Sequence, residues 1–160
     1  MNKIINIYTD GSSKGNPGPG GYSVFIEKFF GYSYYRNIIY EGFRCTTNNR
    51  MELLAVITGL KNIRTKKNTI IVFTDSKYII NAVNNKWIYE WEKNNFYKKK
   101  NIDLWKLFLK FFTTKLVFFH WIKSHNNHYI NEFCDKLSTM TYKNNQLKID
   151  YNYEKLMNKK

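Results

Sequence analysis

A chain of 160 residues suits one domain with a single core. Its 26 Lys and Arg against 12 Asp and Glu give a formal net charge of +14 and a pI near 9.7, which points to a polyanionic partner. No apolar run approaches the ~20 residues of a membrane-spanning helix and no signal peptide opens the chain, so a cytosolic protein and a nucleic-acid partner are expected, with no membrane contact.

Ile4 to Asp10 reads as a buried strand ending on an aspartate. The stretch from Gly11 to Gly21, with Pro17 and Pro19, predicts a turn rather than helix or regular strand interior. It serves either as a plain hairpin loop or as a glycine-rich approach to a sugar–phosphate backbone. Residues 22–30 and 32–43, rich in Tyr, Phe and Ile, predict antiparallel strands separated near Gly31. Met51, Leu54, Ile57 and Leu60 then recur at helical spacing, giving an amphipathic helix over about 49–62. The run from Thr69 to Thr74 is a second buried strand, and it too reaches an aspartate, Asp75. Tyr78, Ile79, Ala82 and Val83 mark the next helix, and strand, helix, strand in this order predicts a right-handed parallel crossover.

Between Asn85 and Lys100, Trp87, Trp91, Phe96 and Tyr97 interleave with Lys86, Lys93, Lys98, Lys99 and Lys100. A helix over about 101–112, a strand over 116–121 and a helix over about 131–142 complete the pattern, and the polar, basic tail beyond Gln146 is expected to fray. Cys45 and Cys134 suit a reducing compartment without a disulfide framework. The joint excess of Lys, Asn, Ile and Tyr also fits nucleotide bias in the coding sequence.

Chemistry in open α/β sheets collects at the carboxyl ends of strands, so Asp10 and Asp75 are expected to meet there, with a cation relieving their repulsion. Each acidic residue has a plainer explanation as well. Asn49 and Glu52 fit a capping box, Asp75 fits an N-cap, Asp135 fits an exposed helix position, and Asp10 a turn. Trp87 and Trp91, four apart, predict a shared helix face, which is either core packing or a nucleic-acid platform. Lys98, Lys99 and Lys100 alone are a solvated charge run. His125 and His128 are open to reading as metal ligands, surface residues or proton shuttles, and no Cys/His pair stands at zinc-ligand spacing.

Four segments coincide in order and separation: Tyr8 to Ser12 with Gly15 to Tyr22; Thr46 to Leu53; Thr74 to Tyr78; and Trp121 to His125 with Asn131 to Asp135. Together they resemble type 1 ribonuclease H, over residues 3 to about 142. The resemblance implies a ribonuclease H-like α/β fold, with a mixed five-stranded sheet, antiparallel early and parallel later, flanked by helices. It implies a catalytic domain over residues 1–145 and a basic tail over 146–160. The implied reaction is hydrolysis of the RNA strand of RNA–DNA hybrids by a monomer with two Mg²⁺ ions, Mn²⁺ being a substitute, leaving 5′-phosphate and 3′-hydroxyl ends. By the same resemblance Asp10, Glu52, Asp75 and Asp135 hold the metal, and His125 assists turnover. Asn16, Thr47, Asn48, Asn49, Lys77, Trp87, Trp91, Lys98, Lys99 and Lys100 then contact the hybrid. The chemistry is consistent, because carboxylate oxygens are the ligands Mg²⁺ selects and hybrids are told apart through 2′-hydroxyls in a shallow minor groove.

The chain departs from the family pattern at Ser124, where glycine is common, at Tyr129, where proline is common, and at Lys77, where bacterial relatives commonly carry an amide. The basic segment is several residues shorter than in well-known bacterial members, and the hairpin near 27–43 is longer. Nothing before the first strand resembles a separate hybrid-binding domain, which favours a minimal bacterial-type enzyme. Two rival readings are a ribonuclease H domain of a reverse transcriptase and a non-catalytic hybrid-binding module, the latter opposed by the presence of all four acidic residues.

Overall fold

The computed structural model describes residues 4–64, 67–123, 128–143 and 146–158. In chain order these form β1 (Ile4–Ser13), β2 (Gly18–Phe30), β3 (Ser33–Thr46), α1 (Asn48–Lys61), β4 (Thr69–Thr74), α2 (Lys77–Asn84), α3 (Trp87–Lys93), α4 (Ile102–Phe112), β5 (Leu116–Trp121), α5 (Tyr129–Thr141) and α6 (Tyr151–Met157). One sheet holds all five strands in the order β3-β2-β1-β4-β5. β2 pairs antiparallel with β1 and β3, whereas β4 pairs parallel with β1 and β5.

Alternation along β1 divides the core between the two sheet faces. Ile5 and Ile7 join Val24, Ile26, Val72 and the apolar side of α1, with Trp105 and Phe108 of α4 filling the same layer. Tyr8, on the opposite face, packs with Phe25, Ile122 and Cys134 of α5.

The aspartates sit differently from expectation. Asp10 is not the last residue of its strand, because β1 continues to Ser13 in antiparallel register with Gly20–Tyr22 of β2. Its parallel ladder with β4 runs only from Ile4 to Tyr8, so Asp10 lies just past that ladder while Asp75 lies just past the end of β4. Much of the glycine-rich stretch is therefore strand, and its glycines serve close packing. A Cβ on Gly11 would come within 2.2 Å of the Glu52 amide nitrogen on α1, and one on Gly21 within 1.7 Å of Thr141 Oγ1 on α5. Only residues 14–17 are left to make the turn, where Gly15 takes the left-handed φ of +89°.

The tail also differs from expectation, for it packs. Lys148 bridges to Phe43 at the exposed edge of β3, its amide donating to Gly42 O at 2.8 Å. Asp150, which is buried, caps α6 and accepts two hydrogen bonds from Arg50, from Nε at 2.7 Å and from Nη2 at 2.9 Å. Arg50 is itself 1% exposed, and a guanidinium at that depth requires carboxylate partners. Asp103 at the start of α4 supplies the other, in a bidentate pair at 2.8 and 2.9 Å.

Candidate active site

α1 enters over Gly11 with Thr47 as its N-cap residue, and no side chain caps it. The capping box expected of Asn49 and Glu52 is absent. Glu52 instead accepts from Asn48 Nδ2 at 2.9 Å through Oε1 and from the Ser76 hydroxyl through Oε2, a short contact. Asp75 likewise is not an N-cap: Ser76 caps α2, its Oγ accepting from the Ile79 amide. The Glu52 carboxylate is therefore not committed to capping α1.

Asp10 is 7% exposed, and its Oδ2 accepts from Ser138 Oγ on α5 at 2.7 Å. Burial pushes its pKa up to about 7; the Ser138 bond pulls the other way, and the charges of Asp75, Asp135 and Glu52 add to the rise. Glu52 is also pushed up to about 7, first by burial, against the Ser76 and Asn48 bonds, and further by Asp75. The structure thus brings Glu52 of α1, Asp75 at the end of β4 and Asp135 of α5 within electrostatic reach of Asp10 on β1. Asp75 and Asp135 are half-buried.

Among the described residues no three His, Cys, Asp or Glu side chains are drawn together closely enough to hold a metal ion. Asp10 and Glu52 are each held by a serine hydroxyl, Ser138 and Ser76 respectively. The donor set nevertheless fits a hard divalent cation, since it offers only carboxylate oxygens, and at Asp10 and Glu52 burial and the neighbouring carboxylates disfavour the charged form in the absence of a cation. Asn49, Glu52, Asp75, Ser76, Lys77, Tyr78, Trp121 and Lys123 line an open cleft of about 530 Å³ at this position.

A family model described as RNase H matches residues 2–143. The chain belongs to the RNase H family. It is 42% identical over 153 residues to a ribonuclease H of Desulforamulus reducens, covering 92% of this chain and 93% of that protein. It is 45% identical over 136 residues to the Helicobacter pylori ribonuclease H, covering 85% and 91%, and 39% identical over 157 residues to the Haemophilus ducreyi ribonuclease HI, covering 95% and 98%. Among solved structures, LC9-RNase H1, a type 1 RNase H with the type 2 active-site motif, superposes with a TM-score of 0.79 at 25% identity over 89% of this chain and 74% of that one. LC11-RNase H1, solved in complex with an RNA/DNA hybrid, shares the fold at a TM-score of 0.63 and 24% identity, covering 87% and 96%. The chain is therefore a bacterial-type ribonuclease H, an α/β enzyme of the RNase H-like fold.

Around the carboxylates of this ribonuclease H, the candidate hybrid contacts fall into two groups. Exposed Asn16 accepts from the Asn48 amide at 3.2 Å, which draws the glycine turn and the start of α1, with Thr47 and exposed Asn49, into one surface. Lys77 lies with its Nζ 5.8 Å from the Trp121 ring centroid in the cleft. The second group is the basic segment. Trp87 and Trp91 do not share an environment: Trp87 is 46% exposed, whereas Trp91 meets Trp105 edge to face at 5.4 Å. The buried residue of this short helix is Ile88. Lys99 Nζ sits 4.8 Å above the Trp91 ring and Lys98 Nζ 5.2 Å from that of Tyr97, and Trp91, Asn94, Asn95, Tyr97 and Lys99 line a groove of about 620 Å³. Exposed Lys100 follows.

His125 and Ser124 lie outside the described residues. His128 caps α5, its Nδ1 accepting from the Asn131 amide at 3.4 Å, and packs against the rings of Tyr8 and Phe73. That capping bond accounts for its position without a metal. Sequence reasoning did not single out Ser138 or the role of Ser76, because a lone serine on a helix or in a turn carries no pattern.

Proposed function

We propose that this enzyme hydrolyses the RNA strand of RNA–DNA hybrids, with Asp10, Glu52, Asp75 and Asp135 holding two Mg²⁺ ions, Mn²⁺ substituting. The observation that carries the reading is the coupled acidic cluster itself: two carboxylates raised to about 7, inside a protein of net charge +14. A binding module for a polyanion gains nothing from such a cluster, which repels phosphate unless cations neutralise it. When bound, a pair of divalent ions supplies an activated water and stabilises the leaving oxygen of an in-line displacement, the course that leaves 5′-phosphate and 3′-hydroxyl ends.

The protein's own groups do the positioning. Ser138 and Ser76 orient Asp10 and Glu52, and Asn48 holds the second oxygen of Glu52. Asn16, Thr47, Asn48 and Asn49 form a neutral, hydrogen-bonding rim suited to 2′-hydroxyls and sugar edges in a shallow minor groove, while Lys77 and Lys98–Lys100 neutralise phosphates farther out. Trp87 and Trp91 flank that basic surface, and His125 aids turnover. The family resemblance and the hybrid bound to LC11-RNase H1 support the substrate.

Asp10→Asn tests the reading. It keeps the shape of the side chain and removes the charge a divalent cation requires, so Mg²⁺-dependent cleavage of a labelled hybrid should fall by orders of magnitude. Hybrid affinity in chelator should stay equal or tighten, and the melting temperature should not fall. Retained cleavage with a lowered melt would assign Asp10 to the fold instead.

A further inference from the structure

The last two turns of α5 lie unusually close to the sheet, and glycines make this approach possible. A Cβ on Gly21 would fall 1.7 Å from Thr141 Oγ1, and one on Gly42 would fall 2.6 Å from Thr141 O. Ser23 Oγ, in the same layer, donates to Cys134 O at 2.8 Å. This close seating brings Ser138, which is 0% exposed, to the carboxylate of Asp10 on the same face of the sheet.

Ser138 Oγ lies 2.7 Å from Asp10 Oδ2, 2.9 Å from Asp135 O and 3.3 Å from Ser12 Oγ. A hydroxyl carries one proton. When Asp10 is ionised, its carboxylate oxygen, the acceptor at the shortest distance, takes it, as charge-assisted hydrogen bonds are the stronger ones. Ser138 is also one turn beyond Asp135 on the same helix, so a single residue ties the β1 carboxylate to the helix that carries a second candidate metal ligand.

We infer that Ser138 is a positioning residue for divalent-cation binding: its hydroxyl holds Asp10 Oδ2 and fixes the orientation in which the carboxylate meets the cation. The inference rests on the reading of Asp10 as a metal ligand. A buried carboxylate without such a donor is free to rotate. Partners that orient metal ligands typically contribute 10–100-fold in metal affinity or activity.

Ser138→Ala, melted in chelator and with increasing Mg²⁺, tests the assignment together with Mg²⁺ titration of cleavage. The half-activating Mg²⁺ concentration should rise about tenfold, the Mg²⁺-induced rise in melting temperature should shrink, and hybrid affinity in chelator should not move. Should the alanine variant fail to fold, Ser138→Cys, which keeps the bulk and weakens the donor, should shift both Mg²⁺ readouts in the same direction. A lower melt in chelator with unchanged Mg²⁺ readouts would overturn the assignment and leave Ser138 a packing residue. Asp10→Asn run alongside separates the two failures. If it abolishes cleavage while the Ser138 variants leave the Mg²⁺ readouts unmoved, only the role of Ser138 is lost; if it retains cleavage, the metal-ligand reading fails and the inference with it.

Discussion

At Asp10 and Glu52 the protein maintains carboxyl groups in surroundings that resist their charge. Unfolded, both titrate near 4; folded without metal, burial holds both near 7. Between those values the folded state binds more protons than the unfolded one, so this site makes stability in chelator fall as pH rises from about 4 to about 7, then level off. Asp103 acts in the opposite sense. Burial pushes it up, but its bonds to Arg50 outweigh that and hold it below the usual range, so the stability it gives is present above about pH 4 and lost in stronger acid. The prediction is a thermal melt in chelator that declines from pH 5 to 7, a smaller decline in Asp10→Asn, and a stabilisation by Mg²⁺ that is larger at pH 8 than at pH 5. A variant whose pH profile in chelator matches the parent would show that Asp10 does not retain its proton on folding.

Arg50 joins three elements: α1, the start of α4, and the segment leading into α6. Its guanidinium, disfavoured by burial, is raised overall by the hydrogen bonds it donates to Asp103 and Asp150. Asp150→Ala removes one partner of a buried pair and should lower stability by about 3 kcal/mol, read by urea denaturation. A loss below about 1 kcal/mol would mean that Asp103 alone suffices. The tryptophans separate in the same way. Trp91→Ala should lower stability by about 3 kcal/mol because its ring packs on Trp105, whereas Trp87→Ala should leave the melt nearly unchanged and weaken hybrid binding. The helices and strands were legible in the sequence because apolar period distinguishes them, and the grouping of the acidic residues around Asp10 because four motifs coincide. The tail was not, since a polar segment reads as frayed unless its buried partner is known. A signal was nevertheless present: Arg50 stands at an apolar-stripe position, with Leu53, Leu54 and Ile57 following at helical spacing, and a charge there calls for carboxylates from elsewhere in the chain. The divergence of Trp87 from Trp91 escaped for a related reason. A helix of seven residues is too short for spacing alone to assign its faces, so its contact with α4 decides them.

Across the whole molecule, charge is arranged in opposition: a small acidic centre set in a strongly basic protein, with a lysine-rich segment that lines a groove of different residues from those of the acidic cleft. Such an arrangement attracts nucleic acid broadly while the centre itself accepts phosphate only with cations present. Binding should therefore be strongly salt-dependent, and the dependence should reside in the basic segment rather than at the carboxylates. Lys98 and Lys99 are placed against the rings of Tyr97 and Trp91, which orders their ammonium groups near the groove instead of leaving them to disperse. Replacing Lys98, Lys99 and Lys100 by Gln should weaken hybrid binding in chelator irrespective of sequence, and should reduce the slope of log affinity against log salt by about 0.9 for each phosphate no longer neutralised. Stability should hardly change, because all three side chains are exposed. Fluorescence anisotropy at several salt concentrations measures the slope. An unchanged slope would make the run a solvated face and would shift the electrostatic grip to Lys77 and Lys123 in the cleft, whose replacement would then have to reduce it.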